Sequence, residues 1–263
     1  MFLRAALTLL PRPRPATLPS TVVSFSAMPA LKAVAAYGAV CGYPLSSALP
    51  PLYPHILAFG PTMRLMSGSD FPFPVVGLVH IGNRLVSSAP VPLDAPLFFT
   101  VRAVDLRPHR RGREFDVVTT ASLAASGPVV WEETSTYLRR GPSSGALPEP
   151  PASLVEGPAA AVWEVPPSYG RDYAAVSGDR NPIHTSTLGA RAFGFKRPIA
   201  HGMWSAARLL ASVRLPSSFT VDVRFRVPIY LGSRVSLYTT ESAADVRGRG
   251  DRLHLSATFS GLA

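Results

Sequence analysis

Two stretches with helical spacing of apolar residues, Met63 to Met66 and Met203 to Val213, are each followed by runs of a different kind. After the first come Leu97 to Val104, Phe115 to Ser122 and Val129 to Leu138. After the second come Phe219 to Val227, Arg234 to Thr240 and Leu253 to Phe259. All six runs are rich in Val, Thr and aromatics and are separated by turn residues, so they predict strands. The chain therefore reads helix then sheet, twice over. The second series is shorter, with 27 residues following Arg113 up to Arg140 but only 14 following Arg249 to the C-terminus. That difference predicts one hairpin strand fewer in the second series.

A comparison of the chain with itself supports the duplication. Tyr37-Gly38-Ala39-Val40-Cys41-Gly42 matches Tyr173-Ala174-Ala175-Val176-Ser177-Gly178 at an offset of 136 residues. Tyr53-Pro54-His55-Ile56 then aligns with Arg197-Pro198-Ile199-Ala200 at an offset of 144, so the second copy holds eight extra residues between these landmarks. Between the copies, residues 141–167 are dense in Pro, Ser, Ala and Gly without core periodicity, and predict a linker. The predicted organisation is a first repeat over 1–140, the linker, and a second repeat over 168–263. Each repeat is α+β, an antiparallel sheet beside one main helix, and the two pair as a pseudo-dimer.

Composition narrows the function classes. A hydrophobic fraction of 47% suits a globular chain, and no apolar run approaches the roughly 20 residues of a spanning helix. The net charge is +10, yet Lys32 and Lys196 are the only lysines among 26 basic residues. Such arginine bias beside abundant Ala, Pro and Gly reflects a GC-rich genome more often than a nucleic-acid interface, and no nucleic-acid module is visible. A basic surface also suits coenzyme A phosphates or an acidic carrier protein. Cys41 is the single cysteine, which rules out an internal disulfide or a cysteine metal cluster and fits the reducing cytoplasm. The first thirty residues carry Arg4, Arg12 and Arg14 and no acid, as a transit peptide would, but Pro11, Pro13 and Pro15 oppose an amphipathic helix. A proline-rich N-terminal arm is the expectation.

The eight extra residues fall around the densest polar segment, Ser177-Gly178-Asp179-Arg180-Asn181-Pro182-Ile183-His184. Gly178 permits unusual backbone angles, Asp179 and Asn181 bond local amides, and Pro182 stops a helix from running through, so the segment predicts a turn. Across such a turn an Asp and a His five positions apart can converge, whereas on a regular helix they diverge. A neutral His with an ionised Asp forms an acid/base pair able to remove or add water. His201-Gly202-Met203 starts the next helix, where backbone N–H groups can meet a carbonyl oxygen that gains negative charge. Taken singly, Asp179 and Asn181 are ordinary turn formers, His184 an ordinary buried histidine and Gly202 an ordinary helix-start glycine. Their joint occurrence in this order favours a site.

These residues resemble the signature of the MaoC-like hydratase/dehydratase family, whose hot-dog fold wraps a curved antiparallel sheet around a long helix. Tyr173, Gly178, Asp179, Asn181, Pro182, His184, His201, Gly202 and Met203 all fit it, and Val223 to Tyr230 looks like the family's strand after the helix. The resemblance implies a double hot-dog acting on (3R)-hydroxyacyl thioesters of coenzyme A or acyl carrier protein, without metal or other cofactor, as a monomer or homodimer. It implies Asp179 and His184 as catalytic residues, Asn181 as their orienting partner, and the Gly202 N–H as donor to the thioester oxygen. Phe225, with Tyr173, His201 and His55, would contact substrate. The first copy departs from the motif, with Tyr43-Pro44-Leu45 where the Asp-x-Asn-Pro-x-His run would stand, and is expected to be silent. A thioesterase and a non-catalytic acyl-binding subunit are the competing readings.

Overall fold

The computed structural model describes residues 13–142 and 155–262. Ten strands form one antiparallel sheet in the order β1-β3-β4-β5-β2-β7-β10-β9-β8-β6. The first five are Val22–Ala27 (β1), Leu78–Ser87 (β2), Leu97–His109 (β3), Gly112–Ser122 (β4) and Val129–Arg140 (β5). The second five are Ala161–Val165 (β6), Phe219–Phe225 (β7), Ser233–Thr239 (β8), Ala243–Arg247 (β9) and Leu253–Gly261 (β10). Read outward from the centre, both halves run through equivalent strands in the same order. The second repeat therefore lacks no strand. Arg113 lies at the start of β4 whereas Arg249 follows the short β9, so the residues after Arg113 cover two strands and those after Arg249 only β10.

Two elements depart from the sequence expectation. β6 lies inside the proline-rich 141–167 stretch, where Trp163 and Val165 turn inward and their neighbours outward, so that the last part of the expected linker is the edge strand of the second half. Of the expected N-terminal arm, residues 1–12 lie outside the described residues, whereas β1 pairs with β3 from Val22 opposite Arg102 to Ala27 opposite Leu97. Both edge strands precede their helices in the chain, so each repeat is strand, helix, then sheet.

The helices are Leu31–Cys41 (α1), Tyr53–Met66 (α2), Tyr169–Ser177 (α3), Pro182–Thr185 (α4), Thr187–Ala192 (α5) and Gly202–Leu210 (α6). α2 and α6 are the main helices of the two repeats, and their buried faces join the inward strand positions in one core. Inward positions recur with period two, as in Leu97, Phe99, Val101 and Ala103 of β3. The halves interlock: the Trp204 indole N–H donates to the Val40 carbonyl at 3.1 Å, and Tyr37 and Tyr173, the repeated landmarks, meet with ring centroids 6.2 Å apart. At the seam β2 pairs with β7 from Gly82 opposite Arg224 to Ser87 opposite Phe219.

Leu85 stands at that seam opposite Val221 and is 1% exposed. Leu85→Ala should cost about 2–5 kcal/mol through lost transfer energy and an unfilled cavity. Urea denaturation checks this, and a change below about 1 kcal/mol would show that the seam tolerates a void.

Candidate active site

α3 ends where Gly178 takes φ 77°, a left-handed angle that a side chain disfavours, and the Gly178 N–H closes the helix on the Ala174 carbonyl. The chain then leaves the helix and exposes the next residues to one another. Asp179 Oδ1 accepts the Asn181 N–H at 3.1 Å, and Asn181 Oδ1 accepts the Ile183 N–H at 3.3 Å. Asn181 thus caps α4, and Pro182 sits in its first turn, where its missing N–H costs nothing. The proline starts a short helix, whereas the sequence reading took it only as a stop. This places His184 in the last turn of α4. A Cβ at Gly170 would lie 1.9 Å from the His184 carbonyl oxygen, so only glycine lets α3 and α4 approach this closely.

Asp179, His184 and His201 come together. The His184 and His201 rings stack at 3.7 Å, and Asp179 Oδ2 lies 3.8 Å from His201 Nε2. His184 Nδ1 donates to the Ile199 carbonyl at 2.8 Å, which leaves Nε2 with the lone pair. His201 Nε2 donates to the Asp179 carbonyl at 3.0 Å, and its Nδ1 is buried without a partner among the described residues. Tyr173 lies 4.9 Å from the His201 ring, and its hydroxyl is likewise buried without a partner among the described residues.

Both histidines are held neutral. Burial lowers the His184 pKa, against the Asp179 charge and the Ile199 bond, which raise it. Burial takes His201 well below the usual range, and neighbouring His184 takes it further. Candidate ligand atoms of Asp179, His184 and His201 fall within 4.8 Å of one another. Stacked imidazoles direct their in-plane lone pairs side by side rather than onto one ion, so this donor set does not converge as a metal site requires.

Gly202 opens α6, one residue earlier than the spacing suggested, and as the first helical residue its N–H has no acceptor within the helix. A Cβ on Gly202 would lie 3.3 Å from the Phe225 ring, which stands at the end of β7. The arrangement offers a neutral imidazole, a carboxylate only a third exposed and a helix N-terminus, the parts needed for proton transfer beside a polarised carbonyl. In the first repeat Gly42 takes the same left-handed cap, φ 83°, but Tyr43 follows where Asp179 follows Gly178. His55 lies in the first turn of α2 and is buried against Glu133. The sequence reading passed over Glu133 and its partner Asn83, whose signal was a polar residue at the inward phase of a strand: Glu133 between inward Trp131 and Ser135, and Asn83 before inward Leu85.

The ten-stranded sheet is a double hot-dog, with this turn and the start of α6 meeting at Asp179 and His201. Residues 159–254 match the family model described as MaoC like domain. The chain is 39% identical to 3-hydroxyacyl-thioester dehydratase X of Mycobacterium tuberculosis over 99% of its own length and 97% of the relative's. A crystal structure of HtdX from the same organism superposes with a TM-score of 0.82 at 36% identity, covering 92% of this chain and all of that one. The (R)-specific enoyl-CoA hydratase of Aeromonas caviae is 33% identical over 70 residues, 24% of this chain and 52% of that protein. The chain belongs to the MaoC-like dehydratase family.

Because burial depresses His184, its ring should titrate with a midpoint below 6.5, the ordinary histidine value. The neutral base is present above that midpoint and lost as pH falls through it. Histidine ring NMR reads the midpoint directly, and one at or above 6.5 would show that burial does not depress His184.

Proposed function

We propose that this protein reversibly dehydrates (3R)-3-hydroxyacyl thioesters of coenzyme A or acyl carrier protein to trans-2-enoyl thioesters. The observation that carries this is the neutral His184, with Nε2 free, beside Asp179 and the N-terminus of α6. The family membership and the names of the relatives support it. In hydration, Asp179 and His184 hold the water between them. The pair accepts one water proton as the oxygen attacks C3, and the group that took that proton returns it to C2. The Gly202 N–H donates to the thioester oxygen as it gains enolate charge. Asn181 orients the pair through the turn bonds, and Phe225, Tyr173, His201 and His55 line the substrate's path. Neither metal nor redox cofactor is needed for this proton chemistry.

The first repeat, 1–140, lacks the turn and is silent as a catalyst in its own right. The second, which the sheet extends back to β6 at Ala161, carries the reaction. No helix among the described residues is long and apolar enough to cross a membrane, and a buried lone Cys41 suits a reducing cytoplasm. The protein is a monomer or homodimer, because one chain already completes the two-fold hot-dog unit.

Hydration of crotonyl-coenzyme A and of a longer trans-2-enoyl thioester, followed by ultraviolet absorbance with chiral analysis, tests the reaction. The (3R)-hydroxy product is expected. Asp179→Asn and His184→Ala should each lower kcat by about 100-fold or more with circular dichroism unchanged. Full activity in both variants would overturn the assignment, and release of free thiol without hydration would make the protein a thioesterase.

A further inference from the structure

The first repeat buries a polar network that the mechanism above leaves unexplained. Asn83 Nδ2 donates to Glu133 Oε1 at 2.7 Å, and His55 Nδ1 lies 2.8 Å from Glu133 Oε2. Glu133 is 2% exposed, Asn83 3% and His55 9%. A buried charged pair is expensive, and apolar residues of similar size usually stabilise a core as well or better, so folding gives no reason for it. With both Glu133 oxygens engaged, the His55 ring is fixed with Nδ1 toward Glu133, leaving Nε2 for another partner.

That ring lies on the side of α2 that meets the catalytic turn. Phe59 stands one turn after His55, and a Cβ on Gly178 would lie 3.9 Å from the Phe59 ring. Gly178 immediately precedes Asp179, whose charge acts on His55. Beyond it, His80 of β2 stacks on Tyr137 of β5 at 4.7 Å and meets Phe225 at 5.0 Å. Phe225 in turn covers Gly202. The first repeat therefore closes around the second repeat's site with its own histidine in front.

We propose that His55, positioned by Glu133 and Asn83, is a third proton-bearing group of the active site, presented by the first repeat to Asp179 and the substrate's hydroxyl. This rests on the dehydratase reading. The titratable groups around His55 are Glu133 and Tyr137 of β5, His80 of β2, Asp179 of the turn and Tyr173 of α3. Burial disfavours the His55 imidazolium, but Glu133 and Asp179 outweigh it and raise its pKa. Burial alone would raise Glu133, yet His55 and Asn83 hold it below the ordinary carboxylate value. Burial pushes His80 down to about 4 and keeps both phenols protonated. Glu133 and Asp179 thus favour the His55 imidazolium, and that form is lost as pH rises through its raised pKa.

Glu133→Gln keeps the shape and removes the charge. It should lower kcat about tenfold with KM within about twofold, and move the alkaline limb of kcat/KM to lower pH. His55→Gln should lower kcat at least as far, and the double variant no further than His55→Gln. A folded Glu133→Gln enzyme with unchanged kcat and limb, reduced only in Tm, would overturn the proposal. Should Glu133→Gln fail to fold, ring NMR of the otherwise unaltered protein decides instead. The His55 resonance should shift on Asp179→Asn and again when that variant binds crotonyl-coenzyme A, and a resonance that moves in neither case overturns the proposal. An unaltered protein without hydratase activity would instead defeat the dehydratase reading, and the Asp179→Asn shift would still test the meeting of His55 with Asp179.

Discussion

β2 and β7 hydrogen-bond in register from Gly82 opposite Arg224 to Ser87 opposite Phe219, and the geometry of the molecule follows from that pairing. It turns two five-stranded half-sheets into one ten-stranded sheet whose ends are capped by equivalent strands, β1 and β6. It also fixes where α2 and α6 lie relative to each other, because each packs on its own half. A one-residue slip would turn Leu85 and Val221 out of the core and carry His80 away from Phe225. The exposed Arg84–Asp222 pair across the seam, at 2.7 Å, adds little beside this, since solvent screens it.

A second consequence is a polar interior between the repeats. Asp179, His184 and His201 come from one side, and His55, Glu133, Asn83 and His80 from the other, with Tyr173 and Tyr137 among them. Water excluded from such a place strengthens every electrostatic interaction in it and penalises every unmatched charge. The second repeat meets that penalty by keeping its histidines neutral, each bonded to a backbone carbonyl. The first meets it by pairing an imidazole with a carboxylate. The second repeat carries the turn from Gly178 to His184, and the first carries the His55–Glu133 pair.

Much of the fold was legible in the chain because its signals are local. Six strands, the main helix of the second repeat, the last turn of α2 and the turn from Gly178 to His184 follow from residue type and spacing, whereas the start of α2 at Tyr53 did not. The strands that escaped detection are instructive. β2 carries His80, Gly82 and Asn83 in its middle, so it lacks the look of a central strand although it is one. β6 hides at the end of a proline-rich stretch, and β9 is five residues long. The shortened tail of the second repeat suggested a missing strand because Arg113 lies in β4 while Arg249 already follows β9, so the counts began at different strands.

By itself the sequence determined the duplication, the α+β character and the Asp179 to His184 turn. All of these depend on contacts within a few residues or on one segment resembling another. Only the tertiary structure decided that His201 stacks on His184, that Phe225 covers Gly202, and that Glu133 pairs with His55. These pairings join residues 17 to 78 positions apart, and they depend on strand register and on the packing of one repeat against the other. No local pattern encodes them, because a strand residue's face can be read from its neighbours but its partner across the core cannot.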